Sequence, residues 1–364
     1  MNKKPKILMI APLPPPVHGS AMMTQNIKNS SLLNDAFDLD WINLSTSRKM
    51  EEIGKNSIAK IFRFLSSYFI SLWKLGTKRY DACYIALTCH GLGFIKDAPF
   101  ALLCKIFGRK LIIHQHNKGM SNDVEKPFYK WLFKKVYKNA IVILLSWRLY
   151  PDIQKIVQKD QVRICPNGIP ESRIFKKNTE PHMPRILFLS NLMESKGVFT
   201  LLDACKILKD NGYKFECRFI GSETKEIDTN KFYHEVKIRN LDNFVIYLGR
   251  KYGDDKNLEF ANSDIFVFPS FYETFGLVLL EAMQQSTPVI GSDEGSMPDI
   301  IQHGINGLIS TKRDPVALAN NISRLIDDPV FARTLGKAGY KNYLDNYTLD
   351  KWENTLKAQI FSAI

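Results

Sequence analysis

Residues 264–310 read DIFVFPSFYETFGLVLLEAMQQSTPVIGSDEGSMPDIIQHGINGLIS. A short unbroken apolar run, 265–268, is closed by Pro269-Ser270, as in a strand buried on both faces. A loop holding Glu273 follows. Phe275-Gly276-Leu277 then begins a helix carrying Glu281, and TPVIGS (287–292) is another buried strand. Two strands joined through a helix lie parallel, because only a crossover of that length can return the chain to the same end of the sheet.

The same alternation extends along the chain. KILMIAP, FDLDWINL, ACYIALT, KLIIHQH and AIVILL read as one set of strands. RILFLSN, KFECRFIG, FVIYLG, DIFVFPS and TPVIGS form a second set, with helix-length stretches such as 57–76 and 124–138 between strands. This predicts an α/β protein of two doubly wound, Rossmann-like domains, 1–170 and 185–345, facing across a cleft. The polar, proline-bearing stretch 171–184 is the expected linker. Beyond 330 the pattern is helical only, and a C-terminal helix in 346–364 is expected to pack back on the first domain.

A chain of 364 residues, 45% hydrophobic and 24% charged, suits a soluble globular protein with more than one core. Six scattered cysteines include no Cys-x-x-Cys pair, so a reducing compartment without disulfides or structural zinc is expected. MNKKPKILMIAP enters a strand directly, so no leader is expected, and no stretch reaches 18 uncharged apolar residues, so no membrane span is expected. Residues 1–184 hold 29 Lys+Arg against 13 Asp+Glu, whereas 185–364 hold 21 against 24. The basic half calls for an anionic partner: phosphate, nucleic acid or an acidic membrane. No nucleic-acid module is recognisable, and charge alone is non-specific.

In open α/β sheets ligands bind beyond the carboxyl ends of the strands. After the first strand, His18-Gly19-Ser20 leads into a helix, where backbone can approach an anion; an ordinary turn reads the same way. After the first strand of the second domain, Lys196-Gly197 opens a helix. The helix dipole disfavours a lysine there unless an anion is bound, and a solvated loop lysine is the alternative. Glu273 and Glu281, if joined by helix throughout, stand about 12 Å apart, too far to share a proton or a metal. They suit two separate hydroxyl-bearing parts of one ligand, with N–H groups at 275–277 free for phosphate oxygens. A solvated Glu273 and a helix-surface Glu281 would give the same spacing. Against that, Glu281 is embedded in LVLLEAM, where a buried carboxylate needs a partner.

FVFPSFYETFGLVLLEAM, TPVIGSDEGSMPDII and HGINGLI together resemble the carboxy-terminal signature of retaining GT-B glycosyltransferases of family four. Glu273 and Glu281 match its E-x7-E motif, RICPNGIP resembles the segment before its interdomain linker, and FLSNLMESKG resembles its diphosphate loop. The resemblance implies transfer of a sugar from a UDP- or GDP-sugar to a hydroxyl of a glycan or lipid-linked acceptor, in envelope polysaccharide or lipopolysaccharide synthesis. It implies retention at the anomeric carbon and no metal or other cofactor. Glu281 would bind the ribose, Glu273 the transferred sugar, and Lys196 the diphosphate. The backbone of Phe275, Gly276 and Leu277 would bind diphosphate or sugar, with Gly19 and Ser20 closing from the first domain. His116 matches the histidine that faces the donor sugar, with His114, on the same strand face, as its rival. Gly221-Ser222 and Gly249-Arg250-Lys251 would lie at the nucleobase.

One departure stands out. The family usually has Gly-Arg where this chain has Ser190-Asn191. Asn191 can donate a hydrogen bond but cannot neutralise, so Lys196 and helix N-termini must suffice or another Arg or Lys must substitute. The alternatives weighed are an epimerase or phosphorylase of the same fold and a catalytically weak binding protein. The basic, aromatic segments 58–79 and 125–139 suit the headgroup region of an anionic bilayer, which would place the protein on the cytoplasmic face of the inner membrane; solvated packing helices are the alternative.

Overall fold

The apolar runs form two parallel sheets in the computed structural model, which describes residues 3–15, 19–47, 58–176 and 182–364. The first contains β1 (Lys6–Ala11), β2 (Asp38–Asn43), β3 (Ala82–Ile85), β4 (Lys110–Gln115), β5 (Ile141–Leu144) and β6 (Val162–Ile164), in the order β2-β1-β3-β4-β5-β6. The second contains β7 (Arg185–Leu189), β8 (Glu216–Ile220), β9 (Val245–Tyr247), β10 (Ile265–Phe268), β11 (Val289–Ser292) and β12 (Leu308–Ser310), in the order β12-β11-β10-β7-β8-β9. Central strands such as β3 and β10 are buried at every position, as sheets covered by helices on both faces require. Strand order reverses between β1 and β3 in one sheet and between β7 and β10 in the other. Loops diverge at those points and leave a crevice. The short strands β6 and β12 were not expected from periodicity. Each has only three residues, and both lie at sheet edges.

The chain divides into two units, Met1–Asn167 with Asp350–Ile364, and Gly168–Leu349. In the first, the last helix, Leu349–Ala363, buries Trp352, packs the Phe361 ring, tilted, against Phe37 with centroids 4.6 Å apart, and donates from Gln359 to the Ile164 carbonyl. Part of the expected linker, 177–181, lies outside the described residues.

Helix Ile58–Thr77 has two apolar faces. Phe64 and Tyr68 pack edge-on against Phe100 of helix Gly91–Ile106, and Ser71 and Leu75 are buried. On the other side Ile58, Phe62, Leu65, Phe69 and Trp73, spaced three and four apart, point outward; Phe62 is 68% exposed. The helix end is pinned by Asp40 of β2, which pairs with Lys74 and, at 3.0 Å, with Lys78, and accepts from the Tyr80 hydroxyl at 2.7 Å. Burial pushes the Asp40 pKa up, but these donors prevail and hold it well below the usual carboxylate range.

Candidate functional site

The reversal point of the second sheet is built from three loops locked together by backbone. After β7 the chain stays paired with the end of β8, through Ser190 N–H to the Ile220 carbonyl at 2.9 Å and Leu192 N–H to the Ser222 carbonyl at 2.8 Å. A single turn, Glu194–Lys196, then ends at Gly197, whose φ of 82° starts helix Val198–Asp210. A Cβ on Gly197 would stand 2.3 Å from the Pro269 carbonyl oxygen. The loop after β10 therefore passes too close for any other residue. It is fastened there by Phe271 N–H and Ser270 Oγ, both donating to the Ser195 carbonyl at 3.0 Å. The loop after β11 closes the set: Ser296 donates to the Thr274 carbonyl from both its N–H and its hydroxyl.

This framework brings Lys196 and Glu273 together. Lys196 Nζ lies 2.9 Å from Glu273 Oε2 and donates to the Tyr272 carbonyl at 3.2 Å, with both side chains about one-fifth exposed. The anion beside the helix-opening lysine is thus a carboxylate of the chain itself. Glu273 Oε1 accepts from the N–H groups of Thr274 (2.9 Å) and Phe275 (3.3 Å). This corrects the expectation of a free Phe275 N–H: the loop turns so tightly after Glu273 that its own carboxylate takes the donor. Phe275 is buried, its ring 6.2 Å from that of Tyr347. Gly276, with φ 94°, caps helix Leu277–Gln284, and the N–H groups of Gly276 and Leu277 lie in its unpaired first turn.

Glu281, on that helix, is partly exposed and pairs with Lys256 at 2.8 Å. Lys256, on helix Gly253–Ala261, had no sequence signal, because only tertiary packing places it beside Glu281. Gly221 has φ 152°, and a Cβ there would lie 1.8 Å from the Ser190 carbonyl oxygen. Its N–H donates to the Gly249 carbonyl at 2.9 Å, which joins the ends of β8 and β9. Asn191, after β7, and Arg250, after β9, are exposed at strand ends on either side of β8. Lys251 and Arg218 are both committed to Glu259, and Arg313 stacks 4.0 Å over the ring of Phe271. Among the described residues, no group of three His, Cys, Asp or Glu side chains is placed to hold a metal ion.

The first unit has a depression of about 460 Å³ at its own reversal point, lined by Gly19, Ser20, Thr88, Lys96, Asp97 and His116 among others. Gly19 and Ser20 begin helix Gly19–Asn29; His18 lies outside the described residues. The two strand histidines share a face, with ring centroids 4.1 Å apart, but differ in depth. His114 is fully buried and shares a 2.5 Å hydrogen bond with Tyr84; burial, then the charge of His116, pushes its pKa well down, so it stays neutral. His116 is the one on the wall of the depression. Asp97 carries no sequence signal, because nothing in GLGFIKDAPF distinguishes it from a solvated helix acid.

Residues 171–342 match the family described as glycosyl transferases group 1. The sequence is 25% identical to an uncharacterized glycosyltransferase of Methanocaldococcus jannaschii over 358 residues, 95% of either chain. It is 30% identical over 174 residues to an amylovoran biosynthesis glycosyltransferase of Erwinia amylovora, an alignment covering 46% of this chain and 42% of that one. It spans 64% of the length of a second glycosyltransferase of M. jannaschii. The solved structure of Anabaena HepE in complex with UDP and glucose superposes with a TM-score of 0.71 at 17% identity, covering 98% of this chain and 99% of that one, a likeness that shows a common fold.

Proposed function

We propose, from the premise that this chain is a GT-B glycosyltransferase whose residues 171–342 belong to glycosyl transferases group 1, that it transfers a sugar from a UDP- or GDP-sugar to a glycan or lipid-linked hydroxyl with retention. The observation that carries this reading is the contact of Lys196 with Glu273, 2.9 Å apart on loops that leave the sheet where its strand order reverses. In this reading the bond from the anomeric carbon to the diphosphate oxygen breaks, a bond from that carbon to the acceptor oxygen forms on the same face, and the acceptor proton passes to the departing phosphate. Lys196 turns from one carboxylate charge to the growing charge of the diphosphate, a stabilisation that strengthens as the bond breaks. Glu273, its other oxygen fixed by two N–H groups, holds sugar hydroxyls and is not a nucleophile. Glu281, beside Lys256, accepts from the ribose, and Gly221 and Arg250 border the base. His116, Gly19 and Ser20 keep the parts that the resemblance gives them. Lys196 and the helix N-termini stand in for the charge absent at Asn191, without a metal ion.

The test is incubation with a panel of UDP- and GDP-sugars, following release of nucleoside diphosphate and the anomeric configuration of the sugar by NMR. Release from at least one α-linked donor, unaffected by EDTA, with an α-linked product, is expected. A β-linked product overturns retention, and no release from any donor overturns the reading.

The same reading places the first unit on an anionic membrane surface. Among the described residues no helix is long and apolar enough to cross a membrane. Yet helix Ile58–Thr77 carries an outward apolar stripe, and helix Pro127–Tyr137 exposes Phe128 and Trp131 beside Lys130, Lys134, Lys135 and Lys138. Apolar anchors framed by cations suit a headgroup layer. Replacing Phe62, Phe69 and Trp73 together by Ser is expected to weaken sedimentation with anionic liposomes roughly 100-fold, about 1 kcal/mol for each half-buried ring. Equal sedimentation of the variant and the unaltered protein would dismiss the surface.

A further inference from the structure

We propose that the depression of the first unit contains a subsite for one neutral hydroxyl of the acceptor, built by Asp97 and Lys96; this rests on the glycosyltransferase reading and names the group that the acceptor presents. Asp97 lies on helix Gly91–Ile106 and is 3% exposed. Its Oδ2 accepts from the Thr88 N–H at 2.9 Å, which fixes the carboxylate plane. Its Oδ1 is buried and accepts no hydrogen bond; the Lys96 ammonium lies 3.1 Å away, on a partly exposed side chain able to shift. A carboxylate buried only for the sake of the fold is normally satisfied at both oxygens, since an unmet acceptor is costly. Here Oδ1 has a cation beside it but no hydrogen bond, and Asp97 and Lys96 both line a cavity that also carries His116.

The pair itself selects the ligand class. An anion would meet Asp97, a cation would meet Lys96, and an apolar group would offer neither a hydrogen bond. A sugar hydroxyl donates and accepts at once, so its oxygen can accept a hydrogen bond from Lys96 Nζ while its O–H donates to Asp97 Oδ1. Asp97 is a positioning residue on this account: it holds a hydroxyl of the acceptor and has no part in holding the nucleotide.

The test uses the full chain and saturation-transfer NMR with methyl α-glucoside, methyl α-galactoside and methyl α-mannoside, with UDP and GDP binding measured on the same samples. The unaltered protein is expected to bind at least one hexoside. Asp97→Asn, which keeps a carbonyl oxygen for Thr88, should weaken that binding at least tenfold, and Lys96→Met at least threefold, with nucleotide affinity unchanged in both. If circular dichroism shows Asp97→Asn unfolded, Lys96→Met alone decides, since its side chain is partly exposed. Binding of no hexoside by the unaltered protein, or hexoside binding unchanged in the deciding variant, overturns the subsite. Failure to bind either UDP or GDP would instead count against the donor reading, so the two can fail separately.

Discussion

Lys196→Ala is expected to lower turnover by about 10²–10³-fold, the usual effect of removing one preorganised donor from a developing negative charge. The chain has Asn191 where a second fixed cation would be expected, so little else in the loop can compensate. The protein should remain folded. The Lys196–Glu273 pair is about one-fifth exposed and joins loops already clasped by Ser195, Ser270 and Phe271, so its loss costs about 1 kcal/mol or less. Glu273→Gln separates two effects. It keeps an oxygen for the Thr274 and Phe275 N–H groups but removes the charge that holds Lys196 in the absence of donor. Turnover should fall, while affinity for the bare nucleoside diphosphate holds or rises, because Lys196 no longer has a competing anion. Steady-state kinetics with calorimetric titration of UDP and GDP would measure both. A folded Lys196→Ala protein turning over within threefold of the unaltered one would remove the chemical basis of the proposal.

Gly221→Ala should be among the most damaging single-methyl changes in the second unit. The added carbon would lie 1.8 Å from the Ser190 carbonyl oxygen, which is backbone and cannot swing aside. Relief requires moving the loop after β7, which breaks its pairing with the end of β8. Two such hydrogen bonds at about 1 kcal/mol each, plus the cost of positive φ, give roughly 3 kcal/mol. For a unit of this size that corresponds to a fall in Tm of about 6–12 °C. Gly212→Ala is the control: its φ is also positive, 85°, but nothing lies within 4 Å of the new carbon. A difference in Tm below 2 °C between the two variants would mean that the collision is relieved at little cost and that the loop is less firmly set than described.

The long strands were readable because burial on both faces forces unbroken apolar runs, as in IFVF and ACYI. β6 and β12 escaped because their three residues, VRI and LIS, sit among polar, proline- and glycine-bearing stretches, whereas β9, as short and also at an edge, lies in the apolar run FVIYLG. Within the site, Lys196 and Glu273 were readable as residues following strands, since the parallel fold sends such loops to one end of the sheet. What could not be read was who meets whom. The pairing of Glu281 with Lys256 depends on packing between separate helices, the return of the Glu273 carboxylate onto Phe275 N–H on the local turn of its loop, and the burial of Asp97 on the elements packed against its helix. The relative depth of His114 and His116 is of the same kind: alternation puts both on one face, and only the sheet's surroundings bury one of them.

The glycines at 197, 221 and 295 each leave no room for a side chain against the backbone of another loop. Anyone hoping to give this protein the specificity of a relative therefore faces an all-or-nothing graft. These contacts tie four connections into a row, those after β8, β7, β10 and β11: swapping one from a relative would import a backbone path that its neighbours refuse, whereas the four exchanged together, or point changes confined to outward side chains such as Arg250, would respect the fit.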